Sequence, residues 1–364
     1  MPRAPDNTAP DDKAPDNTAP DDKAPDDNDK VRDDDALKFV QANFNDHFVV
    51  KLASIQSLWS GYGEIARYLV PSIDNSVIVK IVRPQIQSNH PKGWDGPRSH
   101  QRKLDSYVNE CIFYQHYSQQ IDYFCRTPVC YFSVTDTLSK LNENQVNTAT
   151  SVLIMEDLDQ AGFVDRCDHA SLKTVKLGIR WLAYFHAKFL NQPVHNVWPI
   201  GTYWHLATRP DEFAKMPESE LKSKAHAVDN KLNNAVFQTL LHGDAKLANF
   251  CFCAKGNNLA AVDFQYVGRG AGIKDLMYFL GSGLNESELA LYADLLLDEY
   301  FITLEVAIEH YHVEVNFAAL ENEWRALLPF AWADFERFLI GWATAHYKLN
   351  AFMKKQTNIA LSNC

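Results

Sequence analysis

The sequence has no run of about 18 uninterrupted apolar residues, the least a membrane-spanning helix needs, and its first residues carry no apolar segment of the kind that directs secretion. A soluble, cytoplasmic chain is the expectation. Seven cysteines, at 111, 125, 130, 167, 251, 253 and 364, form neither a paired framework nor the CxxC spacing of a zinc site, so reduced and mostly buried thiols are expected. There is no basic stripe of the kind that grips nucleic acid. The net charge of −11 is concentrated at one end: residues 1 to 35 hold twelve Asp against five Lys or Arg, which leaves about −4 for the rest.

What is present falls into three parts. APDNTAPDDK occurs at 4 to 13 and again at 14 to 23, then decays into APDDNDK. Such sequence has nothing to bury, so residues 1–35 are expected to be a disordered tail. From Leu37 to Cys130 the pattern favours short strands at 49 to 58, 65 to 70 and 77 to 82, with a helix near 105 to 121. A strand-like run at 151 to 155 follows, and then amphipathic helical stretches near 171 to 190, 287 to 311 and 319 to 353. The order predicts an α+β fold of two lobes with a cleft between them: a β-rich N-terminal lobe at 36–155 and a mainly helical lobe at 156–364. The segment from 88 to 103 reads as a lid or a solvated insertion, the latter preferred.

The strongest local signal is His242-Gly243-Asp244-Ala245-Lys246-Leu247-Ala248-Asn249, followed by Val262-Asp263-Phe264. It matches the kinase catalytic loop H-x-D-x-x-x-x-N and the D-F-x after it. Phosphoryl transfer asks for a carboxylate beside the attacking hydroxyl and hard oxygen ligands that hold Mg²⁺ on the phosphates. Asp244 suits the first role, and Asn249 and Asp263 suit the second.

The upstream parts come in the order the kinase pattern requires. Gly61 and Gly63 lie in a turn between strand-like runs, where glycine lets backbone NH groups approach phosphate. Lys80 ends a Val-Ile-Val run, as a phosphate-contacting lysine does. Glu110 shares a helical face with Tyr114 and Tyr117, where an unpaired carboxylate is costly, and pairing with Lys80 would remove that cost. Glu156, Asp157 and Leu158 follow an apolar strand as a hinge segment offering backbone groups to adenine. Only eleven residues separate Asp263 from Asp275 and no A-P-E element follows, which leaves no room for the activation segment of a protein kinase.

Together these residues resemble the aminoglycoside phosphotransferase and choline kinase superfamily, with its protein-kinase-like fold, and most closely its ecdysteroid-kinase-like branch. The resemblance spans about 50 to 350. It is carried by Glu110 with Phe113-Tyr114, by Ile154 to Leu158, by Phe185-His186-Ala187, by the His242 to Asn249 loop and by Val262-Asp263-Phe264-Gln265. It implies ATP, Mg²⁺ and a small-molecule alcohol acceptor. A monomer or weak homodimer is expected, without nucleic-acid or membrane partners. Lys246, two residues after Asp244, is Lys as in protein kinases, where many members of the family have another residue, and a γ-phosphate contact is expected of it.

Ten aromatic side chains stand in the helical part: Trp181, Tyr203, Trp204, Trp324, Phe330, Trp332, Phe335, Phe338, Trp342 and Tyr347. Large aromatics at helical spacing are more often core than ligand wall, but some are expected to line a pocket for an apolar alcohol. Two other readings stay open: choline, ethanolamine or aminoglycoside phosphorylation, the first by cation–π contact, and a noncatalytic nucleotide-binding scaffold.

Overall fold

A computed structural model describes residues 27–58, 61–83, 97–135, 151–167 and 169–364. The repeats, and residues 88–96 of the segment read as an insertion, lie outside the described residues. Helix α1 (Asp27–Phe44) begins inside the segment that composition assigns to the tail. Ala36 and Val40, one turn apart, are buried against the sheet, and a helix anchored there extends backward more cheaply than it nucleates.

Five antiparallel strands follow: β1 (Val50–Ser57), β2 (Gly63–Val70), β3 (Asn75–Val82), β4 (Cys130–Thr135) and β5 (Ser151–Glu156), in the order β1-β2-β3-β5-β4. Alternation along β3 sorts its residues. Val77, Val79 and Ile81 pack with Ala36 and Val40 on one face, while Ile78 and Lys80 line a cavity on the other. Helix α2 (Pro97–His116) starts eight residues before the expected position. Residues 97–103, read as part of a loop, are therefore its first turns.

The C-terminal part is helical: α3 (Leu172–Lys188), α4 (Pro210–Lys215), α5 (Glu220–Asn233), α6 (Ile273–Gly283), α7 (Glu286–His310), α8 (Phe317–Trp342) and α9 (Ala351–Ser362). Ser171 caps α3 by accepting from Thr174 N, and Asn285 with Glu288 forms a capping box on α7, each worth about 1 kcal/mol. The stretch 319 to 353 is two helices rather than one. Gly341 lies against the α4 backbone, where a Cβ would stand 2.0 Å from Glu212 O, and Asn350 opens α9 by accepting from Met353 N at 2.9 Å. The intervening residues His346, Tyr347 and Lys348 face the cavity.

Two short strand pairs hold the motif loops. β6 (Thr239–Leu241) pairs with β9 (Gly268–Gly270), and β7 (Phe250–Phe252) pairs with β8 (Leu259–Ala261). Residues 242–249 connect β6 to β7, and 262–267 connect β8 to β9. This is the expected α+β architecture, an antiparallel sheet followed by a helical part. Of the ten aromatics, Tyr203, Phe335, Phe338, Trp342 and Tyr347 line the cavity, while Trp181, Trp204, Trp324, Phe330 and Trp332 belong to the core alone. Only Cys111, Cys125 and Cys251 are buried, fewer thiols than expected. Among the described residues no helix is long and apolar enough to cross a membrane.

Candidate active site

The cavity has a volume of about 1430 Å³ and is lined by residues of the sheet, of α2, of the two motif loops and of α4, α6 and α8. Lys80 projects into it from β3 with its ammonium 2.7 Å from Glu110 Oε2 and 3.6 Å from Asp263 Oδ1. Both members of the Lys80–Glu110 pair are buried. Burial opposes charge on Lys80, but the Glu110 and Asp263 carboxylates outweigh it and hold the ammonium protonated above its ordinary range.

The loop after β6 is held from beneath by Asp275, in the first turn of α6. Its carboxylate accepts from His242 N at 2.6 Å and from Gly243 N at 3.0 Å. Gly243 has φ +80, and a Cβ there would lie 1.9 Å from Tyr266 O, so only glycine fits. The His242 ring donates from Nε2 to Val262 O at 3.1 Å and accepts at Nδ1 from Asp244 N at 3.3 Å. Burial lowers its pKa, consistent with a neutral ring that ties one motif loop to the other.

Asp244, so positioned, uses one oxygen and leaves the other without a partner. Oδ2 accepts from Asn249 Nδ2 at 3.1 Å and lies 3.5 Å from Lys246 Nζ. Oδ1 is buried and has no hydrogen-bond partner among the described residues. Such an atom costs stability unless something occupies the space before it. Asp263 sits at φ +69, a left-handed conformation that non-glycine residues seldom adopt. Its Oδ1 accepts from Gln265 Nε2 at 2.6 Å.

The surroundings push the two carboxylates in opposite directions. Burial raises the pKa of Asp244 despite Lys246. At Asp263 burial pulls the same way, but Lys80, Lys246 and Lys103 overcome it and the pKa falls below the ordinary value. Such a split gives one carboxylate the character of a base and the other that of a permanent anion.

Lys80, Glu110, Glu156, Asp157, Leu158, Asp244, Lys246, Asn249 and Asp263 all line this one cavity. At the hinge segment the side chains are engaged elsewhere. Glu156 binds Arg126 at 2.5 Å and Asp157 binds Arg67 at 2.6 Å. Gly61 and Gly63 stand apart, since neither lines the cavity. Gly61 N donates to Leu58 O at 3.0 Å within the turn. Gly63 is required by β3, because a Cβ there would fall 1.9 Å from Ile81 O.

Sequence reasoning missed three residues. Lys103, on α2, has its ammonium 5.1 Å from the centre of the Tyr107 ring and 3.2 Å from Gln265 Oε1. Its signal was the spacing 103, 107, 110, which places it on the face of Glu110. Asn109 donates to Gln265 O and Val267 O, joining α2 to the Asp263 loop. Asp275 closed the short interval after Asp263, but its role depends on backbone NH groups that no sequence pattern names.

Residues 77–190 and 204–313 match the family described as ecdysteroid kinase-like. No curated protein matches the chain significantly. Similar solved structures include a microcompartment-associated aminopropanol kinase, with 14% identity over 90% of this chain and 94% of that one and a TM-score of 0.46. An amicoumacin kinase in complex with AMP-PNP and Ca²⁺ shows 13% identity over 92% and 95%, TM-score 0.45. A choline kinase from Cryptosporidium parvum Iowa II shows 9% identity over 91% and 95%, TM-score 0.47. With a match that extends over well more than half of its 364 residues and takes in Lys80, Glu110, Asp244, Asn249 and Asp263, the chain belongs to the ecdysteroid kinase-like family.

Proposed function

We propose that the protein transfers the γ-phosphoryl group of ATP to a hydroxyl of a small molecule with an apolar body, and that it does so with Mg²⁺. The observation that carries this reading is Asp244 Oδ1, which has no hydrogen-bond partner among the described residues and is buried at the wall of a cavity shared with Lys80, Asn249 and Asp263. An acceptor hydroxyl placed there donates to Oδ1, its oxygen attacks the γ-phosphorus, the bond to the β-phosphate oxygen breaks, and the proton ends on Asp244. The raised pKa of Asp244 favours taking up that proton.

Asp263 and Asn249 offer the oxygens a hard cation prefers. The Asn249 amide donates to Asp244 O and Oδ2 through Nδ2, which leaves Oδ1 for a cation. Bound Mg²⁺ would neutralise phosphate charge. Lys80, oriented by Glu110, and Lys246, beside Asp244, would add fixed positive charge where the transferring group passes. In this reading the sheet with α1 and α2 forms the nucleotide lobe and the helical part holds the acceptor.

The test is transfer of labelled phosphate from ATP to a library of hydroxylated metabolites. Asp244→Ala is expected to cut turnover by about 10³-fold while ATP still binds, and Asp263→Ala to weaken Mg-ATP binding itself. Binding of Mg-ATP with no transfer to any acceptor would favour the noncatalytic scaffold, and wild-type rates in both variants would refute the roles.

A further inference from the structure

Helix α7 turns one side to the core, where Leu289, Leu296, Tyr300 and Leu304 are buried. Its outer side is not uniformly polar. Leu291, Leu295, Ile302 and Val306 are 69, 54, 65 and 51% exposed. At about 3.6 residues per turn these four side chains fall within about 60° of the helix circumference, in a stripe about 22 Å long. Single exposed aliphatics are ordinary on a protein surface, but an aligned row on one helix is how a partner-facing stripe is built. At its N-terminal end the stripe opens into a concavity of about 460 Å³, lined by Leu291 and Tyr292 together with Glu286 and Glu288. None of these residues lines the large cavity.

Charge decides what fits over the stripe. α7 holds seven Asp and Glu and no Lys or Arg. Asp294, Asp298 and Glu305 follow one border of the apolar row, and Glu309 continues it beyond Val306. Arg325 binds Asp298 at 2.7 Å and Lys176 binds Glu299 at 2.8 Å. Asp294, Glu305 and Glu309 have no ion pair among the described residues. A second copy packing α7 against α7 would set these acidic borders against each other, and an anionic lipid surface would meet the same sign. A cationic partner gains from both the apolar area and the charge, and the length and narrowness of the row suit a helix lying alongside it.

We propose that this face of α7 is a docking site for a lysine- or arginine-rich amphipathic helix of a partner protein. Its apolar side lies along Leu291, Leu295, Ile302 and Val306, and its cations stand beside Asp294, Glu305 and Glu309.

The experiment mixes the full chain with three fluorescein-labelled peptides of equal length and reads binding by anisotropy. One is an amphipathic helix with Leu at the a and d positions and Lys at the others; the second has Glu in place of Lys; the third keeps the Leu and Lys composition in an order that leaves no helical face apolar. The lysine helix is expected to bind about tenfold more tightly than either control, and to weaken as salt is raised. Leu295→Ser with Ile302→Ser should cost the lysine helix about tenfold in affinity and leave the melting temperature unchanged, since both side chains are exposed. Asp294→Asn with Glu305→Gln should narrow the gap between the lysine and glutamate helices. No binding of the lysine helix, equal binding of the lysine and glutamate helices, or full affinity in the Leu295→Ser, Ile302→Ser variant overturns the proposal. Sedimentation showing a dimer that the same variant abolishes would assign the face to a second copy, and binding to phosphatidylserine vesicles lost in that variant would assign it to a lipid surface; either result overturns the proposal as well.

Discussion

Asp244 and Asp263 are the same residue type in one cavity, and what separates them is their neighbours. Burial makes the charge on Asp244 expensive, so its pKa is raised in the folded chain. The native state then holds its proton to higher pH than the unfolded chain does. Stability is fully present below the unfolded value, about 3.9, and is lost as pH rises through the folded value. Asp244→Asn is therefore expected to abolish transfer and yet to melt about 1–3 °C higher than wild type at pH 7, the gap closing below about pH 4. A lower melting temperature for the variant at neutral pH would count against stored strain at this residue.

At the scale of elements, α2 shows where sequence reading succeeded and where it stopped. The face bearing Glu110 was legible because a carboxylate between tyrosines needs a partner. The helix start was not, because residues 98–103 are polar and offer no apolar period to follow. Lys103 was lost with them, although it stands two turns from Glu110 on that face. If Lys103 helps keep Asp263 ionised, then Lys103→Met raises the Asp263 pKa. Mg-ATP binding should then fail at higher pH than in wild type, with the affinity at pH 7 reduced about tenfold. An unmoved acid limb in a titration of binding against pH would restrict Lys103 to a packing role. The same limit hid the break between α8 and α9: the amphipathic pattern runs on, but Gly341 is needed for close contact with α4, and the residues released from the helix reach the cavity.

The whole molecule assembles groups that no local pattern relates. His205 is buried near Lys274 of α6, and near Asp334 and Arg337 of α8, where Arg337 binds Asp334 at 2.8 Å. Burial and the Lys274 charge push the His205 pKa down to about 4. Unlike the native state, the unfolded chain takes up a proton near pH 6.5, so stability is lost as pH falls from 6.5 towards 4. The loss amounts to about 2–3 kcal/mol at the lower limit. His205→Asn should flatten this part of the melting-temperature curve between pH 7 and 4, and an unchanged slope would remove His205 as a cause of acid sensitivity.

The amino-acid order alone determined the strand alternation that turns Lys80 away from the α1 side, the helix caps, and the identity and spacing of Asp244, Asn249 and Asp263. These depend on contacts a few residues long. Tertiary structure alone decided that Asp244 Oδ1 has no hydrogen-bond partner among the described residues, that three lysines surround Asp263, and that Gly61 and Gly63 stay outside the cavity. Charge cost and pKa depend on the exclusion of water and on neighbours distant in sequence, and neither exists until the chain has folded.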